Sequence, residues 1–516
     1  MTFRKSFLIL LFFAAVIMFC GLNSRELYSG DETRVAGIIA GMNLSGDMVT
    51  PRLNGKMFLE YPPLYYQLGS ICFDLFGFTD AAAKLPSALC AFLSGLAVWL
   101  LAKSLKLSPA SCLASGVFLL TGAQFFGNGR KCMVDAMLAF FVLFAVLSFY
   151  RMLREKQLPE KAAWFLLYGL SLAGGVMTKG LAGLAVPWAG LGVYLVMNDI
   201  LFEKRISFVS YILLALGVIP AAVPVLYWGS LLYRSGGSEA VHTVLIVNNF
   251  GRFSGSQGDH VEPVWYYLMK LPALFQPFLL PLAGAAALAF YQLKKRTLSR
   301  EMLLILCCLS APLLMFHCAS AKRQVYLLVL YSFCAVLTAW AWVENAPLYL
   351  EKLRPYFTEK RLKLCCRAGG VLLILLPAVL LVFARNWNWI FPAAAILLAA
   401  AGMRFRKERL LLILMAVSCI YLSIDGVILA GMNRKESLRP MFARCRLLEQ
   451  QGGVLRVEGI ERTEGAAVFY LKKDIPECKD ECTVPDGEYH IVRSRKKRSG
   501  EPFADGHYIL SAGMKH

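Results

Sequence analysis

Apolar runs long enough to cross a bilayer recur along this chain as far as residue 431. About twenty helical residues span the ~30 Å of hydrocarbon in a membrane. A chain patterned this way folds as an all-α polytopic membrane protein. Its 516 residues are 58% hydrophobic and 17% charged, against about 45–50% and about 25% in a soluble domain. Thirteen spans are expected, near 6–22, 83–102, 110–126, 133–150, 162–177, 180–197, 207–228, 265–291, 302–318, 324–343, 368–385, 388–403 and 409–431.

The net charge of +20 would point to nucleic acid in a soluble chain, but the positions of the charges argue otherwise. Basic clusters fall in every second gap, at Arg4-Lys5, Lys103/Lys106, Arg151/Arg154/Lys156, Lys204-Arg205, Lys294-Lys295-Arg296, 352–367 and 404–409. This is the positive-inside pattern, which assigns those gaps to the cytoplasm and the alternate gaps to the outside. Partners are therefore membrane lipids, with no nucleic acid. Residues 1–22 have a basic start but a poor cleavage pattern, so an uncleaved first helix is expected. Thirteen spans from a cytoplasmic start divide the chain into a membrane domain, 1–431, and a small external α/β domain, 432–516. In the latter, 466–470 and 489–492 read as strands. Most of the fifteen cysteines lie in spans as small hydrophobes; Cys478 and Cys482, in the external tail, can form a disulfide.

The external gaps carry the chemistry. The first, 23–82, contains Gly30-Asp31-Glu32-Thr33-Arg34, followed by a segment 33–44 that reads as an amphipathic helix at the interface. Ionisable residues beside a bilayer are costly and tend to be functional. Asp31 and Glu32 can act as a base or an electrostatic partner; they can equally cap the helix, where acidic groups meet its positive end. Asp135, at the outer end of its span, reads either as a third carboxylate of the site or as a local ion pair with Arg130-Lys131.

Positive-inside logic leaves external loops poor in basic residues, yet Arg34, Arg52, Lys56, Arg130, Lys131, Lys179, Arg252, Lys322 and Arg323 all fall there. Such a set points to an anionic ligand such as a phosphate, or to pairing with lipid headgroups and loop carboxylates. Glu60 and His260 flank facing loops, and a carboxylate and an imidazole can ligate a divalent metal; a structural hydrogen bond is the plainer reading. No cofactor is required by the sequence, and a divalent metal ion is the one candidate.

Several segments then resemble, in order, the GT-C-fold polyprenyl-phosphate-dependent glycosyltransferases, which include the protein O-mannosyltransferases and the lipid A aminoarabinose transferases. They are Asp31-Glu32-Thr33-Arg34, Gly46-Asp47, Pro51-Arg52-Leu53-Asn54-Gly55, Glu60-Tyr61-Pro62-Pro63-Leu64-Tyr65-Tyr66, Lys84-Leu85-Pro86-Ser87-Ala88, Val134-Asp135, the segment 175–180, the segment 249–253, His260 with 263–267, and the segment 320–326. The resemblance implies a sugar donor on polyprenyl (undecaprenyl) phosphate and a lipid A-like, glycan or protein acceptor. It places the reaction on the outer face of a bacterial cytoplasmic membrane.

On that footing Asp31, Glu32 and Asp135 are expected to be catalytic, and Arg34, Tyr61, Lys179, Arg252, Lys322 and Tyr326 to hold the donor or its phosphate. The family often has Glu-Lys-Pro-Pro where this chain has Glu60-Tyr61-Pro62-Pro63. The charge of that lysine is then left to Lys56, Lys179 or Lys322. A transporter or flippase for lipid-linked sugars, or an inactive lipid-binding relative, is the competing class. A transporter would place polar or broken helices at mid-membrane, whereas the charges here gather at one face.

Overall fold

The structure, a computed structural model, describes residues 1–27, 30–251, 262–345, 359–384, 389–405, 409–429, 437–478, 488–493, 503–505 and 508–512. Among these, seven helices are long and apolar enough to cross a membrane, or eight if the bent pair Pro109–Leu120 and Ala123–Gly129 is one span. The protein is a multi-pass helical membrane protein. The remaining expected spans fall on helices that are shorter or carry charges at their ends: Phe3–Phe19, Leu158–Lys179, Leu279–Lys294, Ala368–Phe383 and Ile390–Arg404.

Many of the elements that build the site lie in the first two hundred residues: α1 (Phe3–Phe19), α2 (Gly30–Ser45), α3 (Leu64–Phe76), α4 (Asp80–Ser104), α5 (Pro109–Leu120), α6 (Ala123–Gly129), α7 (Asp135–Arg154), α8 (Leu158–Lys179) and α9 (Ala182–Asn198); segments around residues 244–248 and 315–329 complete it. Their starts follow from local chemistry. Thr79 caps α4 by accepting from the Ala82 amide at 3.1 Å, and Ser108 caps α5 just ahead of Pro109, satisfying amides that no helical carbonyl reaches. Between α2 and α3 a short hairpin pairs β1 (Arg52–Leu53) with β2 (Lys56–Met57). Its turn residues Asn54 and Gly55 both have positive φ, 51° and 76°, the geometry an Asn-Gly hairpin turn adopts.

Helix α2 departs from expectation. Every residue from Glu32 to Met42 is buried, so it is not an amphipathic helix lying at a surface. The tail covers it. A helix at Glu461–Leu471 crosses α2 so closely that a Cβ on Gly37 would lie 2.3 Å from the Cα of Gly465. That helix includes 466–470, which the sequence reading made a strand. A short apolar run buried on all sides carries no period that separates helix from strand. The tail's other elements are a helix at Arg439–Gln450 and a four-stranded sheet of β3 (Val454–Val457), β4 (Glu488–Arg493), β5 (Phe503–Asp505) and β6 (Tyr508–Ala512). Its order is β3-β4-β6-β5, with β3 and β4 parallel and the other pairs antiparallel. Residues 489–492 are in β4, as expected. Cys482, and with it the pairing expected with Cys478, lies outside the described residues.

A buried ionic network fastens the first loop to the helices. Arg25 grips Glu32 through two contacts of 2.8 Å, and Glu32 also accepts from the Cys132 amide at 3.1 Å. Arg25 donates to the Arg130 carbonyl at 3.1 Å, while the Lys84 ammonium donates to the Arg25 carbonyl. Arg130 pairs with Asp425 at 2.8 Å and donates to the carbonyls of Ile17 and Met18. Arg25, Glu32, Lys84, Arg130 and Asp425 are all buried. Burial opposes the charge of Glu32, but the Arg25 guanidinium and its two hydrogen bonds outweigh it and hold the carboxyl below its ordinary range.

Three outcomes follow from this packing. Glu32→Ala strands a buried guanidinium and should destabilise the protein by about 3–5 kcal/mol, read as a lowered Tm in detergent. Because folding lowers this carboxyl's pKa, its stabilisation is complete above the ordinary carboxylate range and fades as pH falls below it; Glu32→Gln should therefore flatten the acid limb of Tm against pH. Gly465→Val forces the tail helix off α2, and limited proteolysis should then cut the tail faster than in the wild-type protein.

Candidate active site

Helices α7 and α8 are joined by only three residues, 155–157, so they run antiparallel and the start of one returns beside the end of the other. Asp135 opens α7 and Lys179 closes α8. Each suits its helix end, an anion at the positive terminus and a cation at the negative one. The two side chains meet in an ion pair, both largely buried. The turn into α9 stays tight because Gly180 takes φ 63° and because Gly175 and Gly183 touch backbone to backbone. The Lys179 ammonium also lies 5.5 Å from the Tyr61 ring centre and 5.2 Å from that of Tyr326, within cation–π range.

This group forms the polar end of a cavity of about 370 Å³, lined by Glu60, Tyr61, Asp135, Lys179 and Tyr326 together with apolar walls from Leu138, Val186, Val244, Met315, Phe316 and Val329. The 59–62 segment is tied in from two sides. Asn248, another lining residue, donates to the Leu59 carbonyl, and Arg34 holds Glu60 at 3.0 Å. A cation boxed by aromatic faces beside a carboxylate, at the end of an apolar chamber, can take the anionic head of an amphiphile and leave its chain among the apolar side chains. The neighbouring carboxylate can accept or orient a proton.

The structure thus gathers Glu60, Tyr61, Asp135, Lys179 and Tyr326 at one cavity. Arg34 stands one ion pair behind it. Its terminal nitrogens reach Glu60 and Glu461, each at 3.0 Å, and Asp31 at 3.8 Å. Arg34 is therefore engaged by protein carboxylates rather than aimed at a phosphate. Asp31 does not line the cavity; it is half-exposed and pairs with Arg462 at 3.2 Å. Glu32, expected to be catalytic, is sequestered with Arg25 and lines no part of the cavity. Its place is in the buried network. Lys322 is buried as well, its ammonium donating to the carbonyls of Glu262, at 3.0 Å, and Ala319; its neighbours Ala319 and Ala321 line the cavity instead. Arg252 and His260 lie outside the described residues.

Most of the nine basic residues expected in external loops are paired within the protein. Arg52 meets Asp47 at 3.3 Å, Lys56 meets Glu477, and Arg130 meets Asp425. Of the nine, Lys179 alone lines the cavity among the described residues. It sits against the ring of Tyr61, the position where the family often has lysine. For a metal, the same residues contain no cluster of three or more His, Cys, Asp or Glu side chains able to hold one, and Glu60 is already bound to Arg34. Sequence reasoning missed Asn248, although it directly precedes the quoted segment 249–253. It also missed Arg25, whose spacing of seven residues from Glu32 gave no signal in the absence of the fold.

Residues 60–228 match the family described as dolichyl-phosphate-mannose-protein mannosyltransferase. The chain is 31% identical over 353 residues to an undecaprenyl phosphate-alpha-4-amino-4-deoxy-L-arabinose arabinosyl transferase of Pectobacterium atrosepticum, covering 68% of this chain and 61% of that protein. It thus spans about three-fifths of that relative's length. In fold it is similar to ArnT from Cupriavidus metallidurans, solved bound to undecaprenyl phosphate, with a TM-score of 0.73, 19% identity, and 98% and 99% of the two chains covered. It is also similar to the oligosaccharyltransferase AglB from Archaeoglobus fulgidus, with a TM-score of 0.52, 14% identity, and 96% and 70% covered. In sequence the chain is thus similar to proteins named as undecaprenyl-phosphate and dolichyl-phosphate sugar transferases, and it shares the fold of ArnT and AglB.

Proposed function

We propose that this protein is an integral-membrane inverting glycosyltransferase. It moves a sugar from undecaprenyl phosphate to a lipid A-like, glycan or protein acceptor on the outer face of a bacterial cytoplasmic membrane. The observation that carries this reading is the apolar-walled cavity ending on Lys179 and Asp135 between Tyr61 and Tyr326. A polyprenyl chain fits the walls and a phosphate fits the cation. The relatives' names point the same way. The reading includes thirteen spans, with residues 432–516 as a small external α/β domain beside the first loop.

In the reaction the bond between the sugar's anomeric carbon and the carrier phosphate oxygen breaks, and its electron pair stays on the phosphate. Lys179 stabilises that growing charge, and its aromatic box keeps the ammonium in place before any charge develops. An acceptor oxygen forms the new bond from the opposite face. If the acceptor is a hydroxyl, its proton passes to a carboxylate, Asp135 at the cavity wall or Asp31 beside Arg34. If it is a phosphate monoanion or dianion attacking through an ionised oxygen, no proton need move and the carboxylates only orient it. Tyr61 can hydrogen-bond the phosphate while Lys179 supplies the charge.

The test uses membranes holding the full chain, radiolabelled sugar on undecaprenyl phosphate, and separate counting of lipid and protein fractions. Wild-type membranes should transfer label, and Lys179→Met should lower the rate by about 100-fold or more. Asp135→Asn should lower it as well. Wild-type turnover in Asp31→Asn would remove Asp31 from the mechanism and leave Asp135 as the carboxylate in play. Absence of transfer with retained binding of undecaprenyl phosphate would instead mark a lipid-binding relative without activity.

A further inference from the structure

Two consecutive residues of the tail helix reach back across almost the whole chain to the first loop. Glu461 accepts from Arg34 at 3.0 Å, 427 positions earlier, and Arg462 donates to Asp31 at 3.2 Å, 431 positions earlier. The contact is not a chance meeting of long side chains. A Cβ on Gly465 would lie 2.6 Å from the Cα of Arg34, so the tail helix backbone is seated against the backbone of Arg34 itself.

The consequence lies in how Arg34 is held. Its side chain is nine-tenths buried, and its Nε has no hydrogen-bond partner among the described residues. The guanidinium is fixed through its two terminal nitrogens, one on Glu60 at the cavity and one on Glu461 in the tail. Remove the tail contact and Arg34 keeps one strong tether, to Glu60. The Glu60 carboxylate then loses its rigid backing, and Asp31 loses Arg462.

We infer that Glu461 and Arg462 are positioning residues: the tail helix sets Arg34 and Asp31, and through Arg34 it sets Glu60 at the cavity. This rests on the glycosyl-transfer reading for its kinetic consequence but not for its structural one. A misplacement of about 1 Å in such an array can cost on the order of a hundredfold in rate. The ion pairs themselves are half-exposed on the tail side, where such pairs contribute little to stability. The tail's effect should therefore appear in turnover and not in melting.

The experiment compares full-length wild-type protein with the double variant Glu461→Ala/Arg462→Ala, the single variant Glu461→Gln, and Glu449→Gln, which breaks a different tail ion pair, with Lys473. The double variant should lose about ten- to a hundredfold in kcat, with donor KM and Tm unchanged. Glu461→Gln should recover much of the loss, because its amide oxygen still accepts from Arg34. Glu449→Gln should match wild type. Hydrogen exchange in residues 58–61 should rise in the double variant alone, a readout that needs no activity. Wild-type kcat and exchange in the double variant overturn the inference, as does a drop in Tm that accounts for the lost rate. Inactive wild-type protein overturns the functional reading alone, since the exchange comparison still decides the positioning.

Discussion

The buried pairing of Arg25 with Glu32 is the interaction on which the rest of the structure depends. It joins a loop outside the helical bundle to the bundle's interior. Through the Arg130 carbonyl and the Cys132 amide it holds the stretch that leads into α7, and through Lys84 it holds α4. Arg130 carries the connection to Asp425 and to the end of α1. Charges buried this deeply are tolerated only when every partner is present. The network therefore specifies one arrangement of the loop, and Asp135, three residues beyond Cys132, begins its helix where that arrangement puts it.

The same logic separates two kinds of charge in this protein. Those in the network pair with one another and with backbone groups. Those at the cavity leave a face open: Lys179 has Asp135 on one side, two aromatic rings around it, and apolar space beyond. Arg34 belongs between the two kinds, since it lies behind the cavity wall yet touches Glu60, which lines it. An arginine braced by two carboxylates at fixed distances makes a stiff strut, which suits it to holding Glu60 better than to receiving a ligand.

How much of this was legible depended on which residue's surroundings were at issue. The spans were legible, because hydrophobicity over twenty residues is a local property. That Asp135 and Lys179 share a site was legible in principle, from two spans joined by a tight link, although each alone looked like a stray charge. The division of labour between Asp31 and Glu32 was not legible. Neighbours on a helix point about 100° apart, and only the fold decides which of the two faces the interior. The burial of α2 was hidden for the same reason. Its apolar residues cover all sides because a helix more than four hundred positions away packs over it, and no window of sequence contains both partners.

That separation gives the protein a history as well as a shape. Helix α2 is made early, and the helix that covers it is made nearly last. At about 5–20 residues per second, synthesis of the intervening chain takes roughly 20–90 s. Throughout that interval the loop bearing Asp31, Arg34 and Glu60 lacks its lid. Asp31 and Arg34 face whatever is nearby before Arg462 and Glu461 arrive. A ribosome stalled after the last membrane helix would therefore leave a molecule that is threaded through the bilayer with its cavity formed and its loop unfinished.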